Sequence, residues 1–297
     1  MKKLKIPVVV SGFFWFIAIL LWRTRGSIFY LYNFGYIGTA IGVGLGVYVL
    51  LPRNKKPSGR RLSQLLVGIY MLCFLGLFER ENMQLEGFFF YLLGGLFLGP
   101  TIHYLAAKIV GPVLFGRGFC GWGCWTAMVV DLLPYKQPRR GRIAAKWEFF
   151  RYLNFAVSVF LVFLAWFVFR CRPINGGINE LKWFVVGNLV YFVSAIAIAF
   201  GLKDNRAFCK YLCPITVFLK AGSRLSVLKI GKTRGECSRC GTCSRVCPMN
   251  IDVMGYINRG ERVLSSECIL CLTCTTACPE NILGITFKID IGGKEMI

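Results

Sequence analysis

The sequence predicts a multi-pass α-helical membrane protein, with about six transmembrane helices and a small α+β domain at its C-terminal end. Of the 297 residues, 56% are hydrophobic and only 17% are charged, whereas a soluble domain is nearer to about 25% charged. The apolar residues gather in runs long enough to cross a bilayer. The net charge of +22 is concentrated between these runs, which is typical of membrane-protein loops and not of a nucleic-acid-binding surface.

Six apolar runs are predicted to form the transmembrane helices of a membrane domain at residues 1–201. Each run has roughly 17 to 24 residues, enough to cross a hydrocarbon layer of about 30 Å at 1.5 Å per residue. The runs cover residues 6–22, 28–51, 62–78, 87–110, 148–169 and 183–201. The first run follows a short basic stretch but no small-residue cleavage site comes after it, so we expect a retained helix.

The charges between the runs predict the orientation in the cell membrane. Segments 52–61 and 133–147 each carry five Lys or Arg and no acid, whereas segment 79–86 carries three Glu and one Arg. Basic loops stay in the cytoplasm, so we expect segment 79–86 to be an outer loop. Both chain ends and the C-terminal domain are then expected in the cytoplasm.

The chain changes character after about residue 202. Residues 202–230 have the pattern of a basic amphipathic connector that lies against the membrane. Residues 231–297 are more polar, with short Val and Ile segments between Gly or Pro turns. We expect a small cytoplasmic domain in this tail.

The tail contains two copies of one cysteine motif. CSRCGTCSRVCP and ECILCLTCTTACP both follow C-x2-C-x2-C-x3-C-P, offset by 31 residues. This spacing is typical of bacterial two-cluster ferredoxins, in which the fourth Cys of each motif binds the other cluster, whereas structural zinc sites use separated Cys pairs, often with His. The tail is therefore predicted to be ferredoxin-like and to pass single electrons. The predicted ligands are Cys237, Cys240, Cys243 and Cys278 for one 4Fe–4S cluster, and Cys268, Cys271, Cys274 and Cys247 for the second.

A second repeat lies at the ends of predicted transmembrane helices. RGFCGWGCW and RAFCKYLCP share Arg-x-Phe-Cys-x3-Cys, 89 residues apart. A spacing of four places both thiols of a pair on one face if the segment is helical, and the preceding Arg117 and Arg206 favour thiolates. Three interpretations stay open: a third iron–sulfur cluster or another metal site, a redox-active set of thiols, or cysteines that only pack helices. The residues concerned are Cys120, Cys124, Cys209 and Cys213.

The remaining candidates are weaker. His103 is the one histidine and lies in the fourth run, where it could accept a proton from a bound quinol; a hydrogen bond between helices is the alternative. Cys73 and Cys171 have no partner at ligand spacing. One His excludes bis-His haem, and the lack of a Cys-x2-Cys-His motif excludes c-type haem.

The helices, the two membrane Cys-x3-Cys motifs and the paired tail motifs together resemble the membrane polyferredoxins of the NapH, MauN and NosR type, over about residues 87–290. The resemblance implies that the four membrane cysteines and the eight tail cysteines are the family's own. It also implies quinol dehydrogenation or electron supply for metalloenzyme maturation.

In two respects the chain departs from the family. Trp125 stands where the family has Pro, although Pro214 matches, and no flavin-binding domain precedes the helices, so we expect any outer relay to come from another subunit.

The leading hypothesis is a transmembrane electron-transfer subunit that works between a cytoplasmic donor or the quinone pool and a membrane or periplasmic redox partner. Its expected partners are membrane lipid, other subunits of a redox complex and a quinone, but no nucleic acid. One alternative is a maturation reductase that delivers electrons to a metal or disulfide of another protein, and another is a membrane redox sensor. An electron-coupled ion pump is disfavoured, because no charged residue is expected deep in a helix.

Overall fold

Five long helices form the frame of the protein. The structure is a computed structural model that describes residues 4–136, 138, 141–142, 145–172 and 177–296. In this part of the chain, five helices are long and apolar enough to cross a membrane, and they match five of the six predicted runs to within a few residues. They are α1 (Lys5–Arg25), α2 (Ile28–Leu50), α3 (Lys56–Phe78), α9 (Phe149–Val168) and α10 (Ile178–Leu202).

Short helices fill the sequence between α3 and α9. They are α4 (Leu85–Leu93), α5 (Gly99–His103), which continues as a π-helix over Tyr104–Val110, α6 (Gly111–Phe115), α7 (Gly118–Trp122) and α8 (Trp125–Val130). After α10 the chain forms α11 (Ala207–Tyr211) and α12 (Thr216–Ser223). These short elements carry most of the residues of the candidate site, and the five long helices hold them in place.

Close packing of α2 against α3 depends on glycine. A Cβ atom placed on Gly44 would lie 2.2 Å from the Cβ of Ser63 in α3, so only a residue without a side chain fits there. Gly59 of α3 meets Tyr48 of α2 in the same way, at 2.4 Å from its backbone nitrogen. The two backbones therefore approach each other more closely than side chains would allow.

The fourth predicted run, 87–110, is not one continuous helix, and the prediction was wrong here. α4 ends at Leu93, the chain is irregular through residues 94–98, and α5 begins at Gly99. Gly95 adopts a left-handed conformation with φ of 66°, and Pro100 at the start of α5 has no N–H to continue a helix. The apolar composition was read correctly, but these residues break the run into two pieces.

Segment 79–86, which the charge pattern predicts to be an outer loop, is largely buried in the protein. The side chains of Glu81, Asn82, Met83, Gln84 and Leu85 are all buried. A Cβ on Gly99 would lie 2.1 Å from the carboxylate of Glu81, and one on Gly187 of α10 would lie 2.2 Å from the amide oxygen of Gln84. The segment folds inward because glycine leaves room for its polar side chains.

The tail domain is small and contains one antiparallel pair of strands. β1 (Leu228–Lys232) pairs antiparallel with β2 (Leu283–Phe287), with Ile230 opposite Ile285. Between the strands lie α13 (Thr242–Arg245), α14 (Val253–Asn258) and α15 (Thr273–Ala277). This arrangement agrees with the expected α+β, ferredoxin-like region at the C-terminal end.

Much of the connector at residues 202–230 is buried. Every residue of α11 is buried, because the helix sits between the long helices and the tail domain. Lys203, Ala221, Arg224 and Leu225 are exposed, so other parts of the connector lie at the surface of the protein.

The basic loops lie on the same side of the helices as the tail. Arg53, in the loop before α3, donates hydrogen bonds to the carbonyl oxygens of Cys278 at 2.7 Å and Thr275 at 3.2 Å. In segment 133–147, Arg142 forms an ion pair with Glu267 of the tail at 3.3 Å; residues 137, 139–140 and 143–144 of that segment lie outside the described residues. The two basic loops and the tail thus share one side, as the charge pattern predicts.

Replacing Gly44 by Val should push α2 and α3 apart. We expect a loss of about 1–3 kcal/mol in the free energy of unfolding, because overpacking forces the backbone to shift. Thermal unfolding of the detergent-solubilised protein, followed by circular dichroism, measures this as a lower melting temperature. Gly12→Val is the matched control, since no atom lies within 4 Å of a Cβ at Gly12. Equal melting temperatures for the two variants would contradict the packing described for α2 and α3.

Candidate metal centres

The first predicted ligand set borders one cavity. Cys237, Cys240 and Cys243 of the first tail motif and Cys278 of the second line a cavity of about 340 Å³. Cys240 is exposed, whereas Cys243 and Cys278 are buried. One edge of this cavity therefore lies close to solvent.

The second predicted set borders another cavity, of about 370 Å³. Its cysteines are Cys268, Cys271, Cys274 and Cys247, so here too the fourth cysteine comes from the other motif. The remaining wall is apolar and buried, with Ile230, Met249, Ile251, Val253, Val263 and Ile269 around the sulfurs. The second cavity is consequently more shielded from water than the first.

The two motifs fold with the same backbone. Left-handed residues occur at equivalent positions, Arg239 and Leu270 before the second cysteine of each motif, and Gly241 and Leu272 after it. Non-glycine residues adopt this conformation at a cost of roughly 1–2 kcal/mol each. Such positions persist where the surrounding structure or a bound group holds them, and they cluster at ligand-binding loops.

The cysteines around each cavity suit a cluster better than a single ion. Among the residues that the structure describes, no three His, Cys, Asp or Glu side chains converge closely enough to hold one ion. A 4Fe–4S cube separates its four thiolates more widely than a mononuclear ion does, and four cysteines surround each cavity. The donor set of both cavities therefore fits the cube.

The two membrane motifs also share one backbone fold. In each, a short helix ends before the second cysteine, and the N–H of that cysteine donates to a Phe carbonyl, from Cys124 to Phe119 at 3.1 Å and from Cys213 to Phe208 at 2.9 Å. In each motif the two cysteines therefore lie on either side of a helix end. They do not share one face of a continuous helix, as the spacing of four would require. Arg117 and Arg206 precede the two short helices at equivalent positions.

Reciprocal hydrogen bonds bring the membrane motifs together. Arg117 donates to the carbonyl oxygen of Cys209 at 3.2 Å, and Arg206 donates to the carbonyl oxygen of Cys120 at 3.1 Å. Each arginine thus binds the first cysteine of the other motif. The convergence expected from the repeat is present in the structure.

The first membrane motif reaches well inside the helical domain. Trp125, which follows Cys124, donates from Nε1 to Oδ1 of Asn188 at 2.9 Å. Asn188 lies 14 residues before the end of α10 at Leu202, which is about 20 Å along the helix at 1.5 Å per residue. Trp125, which stands where the family has Pro, therefore anchors this motif deep between α3 and α10.

Buried cations surround the membrane cysteines. Arg206 and Arg60 share the carboxylate of Asp131, at 2.6 and 3.0 Å. Lys108 is also buried, and its Nζ lies 3.2 Å from the centre of the Phe119 ring. Within the described part of the chain, no carboxylate pairs with Lys108, and its electrostatic neighbours are Cys124, Cys120 and Cys213. Lys108 is thus the charged group inside the fourth run that the sequence reading set aside.

Burial outweighs the arginines at the membrane thiols. It raises the pKa of Cys209 to about 11, although Arg206 and Arg117 act in the opposite direction. The sequence had predicted the reverse, namely a cation-stabilised thiolate. As a free thiol, Cys209 would therefore stay protonated at neutral pH.

Glu267 joins the tail to the membrane domain through a buried ionic cluster. It precedes Cys268 and is fully buried. Its carboxylate pairs with Arg117, with Arg151 at 2.7 Å, with Lys220 at 2.7 Å and with Arg142 at 3.3 Å. Burial would raise the pKa of Glu267, but these cations hold it well below its usual range.

Direct contacts connect the first membrane motif to the second tail motif. Trp122 donates from Nε1 to the carbonyl oxygen of Leu270 at 2.9 Å. A Cβ on Gly121 would lie 2.3 Å from the carbonyl oxygen of Ile269. The loop around the second cavity therefore lies directly on the segment between Cys120 and Cys124.

The weaker candidates are one histidine and two exposed cysteines. His103 contacts the rings of Tyr104, Phe119 and Trp125, and its buried Nε2 has no hydrogen-bond partner among the described residues. Cys73 and Cys171 are both exposed, as expected for cysteines without a ligand role.

Sequence reasoning missed Glu267, Asp131 and Lys108. The only available signal for Glu267 was the repeated Glu-Cys pair, which also occurs at Glu236 and Cys237. Glu236 is exposed, so the repeat alone does not tell which glutamate is buried. That difference comes from the docking of the tail, which is a tertiary contact.

Comparisons with known proteins confirm the resemblance to the membrane polyferredoxins. A family model described as a 4Fe–4S dicluster domain matches residues 229–282, and one described as a 4Fe–4S binding domain matches residues 105–142 and 186–233. The second model thus covers both membrane Cys-x3-Cys motifs. No solved structure matches the chain closely enough to count as similar.

Three curated relatives illustrate the similarity. An uncharacterized protein of Methanocaldococcus jannaschii is 26% identical over 220 residues, which are 68% of this chain and 86% of the relative. The methylamine utilization ferredoxin-type protein MauN of Methylobacillus flagellatus is 31% identical over 54% of this chain and 60% of its own length. The putative electron transport protein YccM of Escherichia coli is 26% identical over 52% of this chain and 49% of its own length.

Replacing Glu267 by Gln should loosen the tail from the membrane domain. The substitution leaves the buried Arg117 without a carboxylate partner, whereas Arg142, Arg151 and Lys220 still pair with Glu148. We expect the loss of the Arg117 pair to cost about 3–5 kcal/mol. Limited proteolysis should then release the tail faster, and thermal unfolding should begin at a lower temperature. Glu236→Gln is the control, since it makes the same change at the equivalent exposed position. If both variants resisted protease as the unmodified protein does, the ionic cluster would not be what holds the tail.

Proposed function

We propose that this chain, a polyferredoxin-type membrane protein, is the electron-transfer subunit of a redox complex and moves single electrons along three cysteine sites. The observation that carries the proposal is their order. The first cavity has an exposed edge at Cys240. It is joined to the second cavity because Cys278 and Cys247 each line the cavity of the other motif. The first membrane motif contacts the loop around the second cavity through Trp122. The sites form a continuous series from the tail surface into the helical domain.

In this proposal each tail cavity holds one 4Fe–4S cluster, which supplies one-electron redox chemistry when bound. Cys237, Cys240, Cys243 and Cys278 hold the first, and Cys268, Cys271, Cys274 and Cys247 hold the second. The chain supplies thiolates and N–H groups, such as those of Met249 and Ile251 beside Cys247. The apolar wall of the second cavity keeps water from its cluster and so tunes its potential.

We assign a third iron–sulfur site to the membrane cysteines, Cys120, Cys124, Cys209 and Cys213. Lys108 has an uncompensated buried charge beside them, and a cluster held by four thiolates is a net anion that would balance it. Burial raises the pKa of Cys124, Cys209 and Cys213 as free thiols, which argues against a reactive set of free thiols because the thiolate is the nucleophile. The match of the 4Fe–4S binding domain to both motifs supports the same assignment.

The same geometry supports a proposal for the orientation and the partners. The shared side of the tail and the basic loops supports a cytoplasmic tail, since basic loops stay inside. A soluble donor or acceptor would then meet the protein at Cys240, and a membrane or periplasmic partner would exchange electrons with the deep cysteines. A quinone remains a partner hypothesis, with His103 as its candidate contact.

Iron content tests the number of sites. Anaerobically purified protein should contain about 12 iron atoms and as many labile sulfides per chain, as three 4Fe–4S clusters require. Combining Cys120→Ser with Cys209→Ser should lower both to about 8, because only the membrane site is lost. Cys73→Ser, at an exposed cysteine of α3, should leave them unchanged. A value of about 8 in the unmodified protein would remove the third site, and a value near zero would overturn the whole proposal.

The crossed ligand sets can be tested separately. Cys237→Ser with Cys240→Ser should remove the first tail cluster and leave about 8 irons. In that background, adding Cys247→Ser should remove the second tail cluster as well, whereas adding Cys278→Ser should change nothing further. The opposite result for these two variants, read from iron content and electron paramagnetic resonance, would mean that each motif binds its own cluster.

A further inference from the structure

The buried charges beside the membrane cysteines do not balance. Lys108, Arg60 and Arg206 are all buried there. One carboxylate, that of Asp131, is shared by the two arginines, and no carboxylate pairs with Lys108 among the described residues. The surroundings of the four cysteines therefore carry an excess of positive charge inside an apolar domain.

Lys108 places its charge close to both membrane motifs. Its electrostatic neighbours are Cys120 and Cys124 of the first motif and Cys213 of the second. Its Nζ lies 3.2 Å from the centre of the Phe119 ring, and Phe119 directly precedes Cys120. An aromatic ring attracts a cation without neutralising it, so the charge of Lys108 still acts on the cysteines.

Arginine side chains take up the backbone carbonyl groups of the same motifs. Arg60 donates to the carbonyl oxygen of Gly121 at 2.8 Å, between the two cysteines of the first motif. Arg151 donates to the carbonyl oxygen of Lys210, between the two cysteines of the second. The partial negative charges of these carbonyl groups are thus bound by arginines and do not offset Lys108.

The ionic cluster around Glu267 acts on the membrane site and on the second tail cavity alike. Arg117 belongs to this cluster, and it is an electrostatic neighbour of Cys209 in the membrane domain and of Cys268 in the tail. A charge shared in this way favours an added electron at either site. The cluster therefore does not distinguish the two sites.

The lysine beside the second tail cavity is paired, unlike Lys108. Lys210 is an electrostatic neighbour of Cys247, but its Nζ lies 2.6 Å from the carboxylate of Asp204. The side chains that complete the wall of this cavity are apolar. The unpaired charge of Lys108 consequently favours an added electron at the membrane site over one in the second tail cavity.

We propose that Lys108 raises the midpoint potential of the membrane site above that of the second tail site, and so directs electrons from the tail into the membrane domain. One electron leaves the second tail site and arrives at the membrane site, so no bond forms or breaks and no further reactant is needed. A buried, unpaired cation stabilises the more negative, reduced state of a nearby cluster more than its oxidised state. This inference rests on the proposed function, because it needs an iron–sulfur cluster at each of the two sites.

A reductive titration followed by electron paramagnetic resonance tests the order of the two potentials. The membrane signal is the one lost when Cys120→Ser is combined with Cys209→Ser, and the second tail signal is the one lost when Cys268→Ser is combined with Cys274→Ser. In the unmodified protein the membrane site should be reduced first, with a midpoint potential higher by at least about 59 mV, which is a tenfold preference for one electron. The opposite order would overturn the proposal.

Lys108→Met tests the residue itself, because methionine keeps an unbranched side chain and removes the charge. The potential of the membrane site should fall by a factor of about ten or more in the one-electron equilibrium, about 59 mV, while the iron content stays unchanged. Lys108→Arg keeps the charge and should keep most of the potential. Lys182→Met is the control, since Lys182 is exposed near the start of α10 and water screens its charge.

The outcomes separate this proposal from the proposed function. An unchanged membrane potential in Lys108→Met, or an equal fall in Lys108→Arg or Lys182→Met, would overturn the role of Lys108 while the clusters remain in place. If Lys108→Met failed to fold and lost iron from all sites, the order of the two potentials in the unmodified protein would still decide. Absence of the membrane signal from the unmodified protein would instead contradict the proposed function.

Discussion

The arrangement of the protein depends on one buried carboxylate, that of Glu267. A fully buried charge is stable only when it is well paired, and the cations that pair with Glu267 come from four separate parts of the helical domain and connector, at Arg117, Arg142, Arg151 and Lys220. The neighbouring Cys268 belongs to the second cavity. The same charge cluster therefore fixes the tail, the second cavity and the first membrane motif relative to one another.

Features that depend on local sequence could be predicted. The repeat of cysteines with Pro predicts the two tail sets, and the members of each predicted set line one cavity. Long apolar runs identified α1, α2, α3, α9 and α10, because their composition alone requires an apolar environment. The reciprocal contact of Arg117 and Arg206 with the opposite motifs also follows from the sequence repeat, which suggested a pseudo-symmetric pair.

Features that depend on tertiary packing could not be predicted from the sequence. Average hydropathy over 87–110 conceals the break at Gly95 and Pro100. Three glutamates in segment 79–86 are typical of a loop, because the sequence does not show that Gly99 and Gly187 leave room for the side chains of Glu81 and Gln84. In the sequence, Lys108 is an ordinary charge near a helix end, and only the fold places Phe119 and the cysteines around it. In each case a polar group is buried by partners distant in sequence, and single-residue patterns do not contain that information.

The unequal exposure of the two tail cavities has a consequence for damage by oxygen. Oxidants dissolved in water meet the set at Cys240 first, because its sulfur lies at the surface, while the set around Cys274 stays behind apolar side chains. Oxidative loss would therefore begin at the end of the series farthest from the membrane and interrupt the supply of electrons there. The outer set is therefore the first that oxidation would reach. Repair enzymes in solution could reach it without unfolding the rest of the protein.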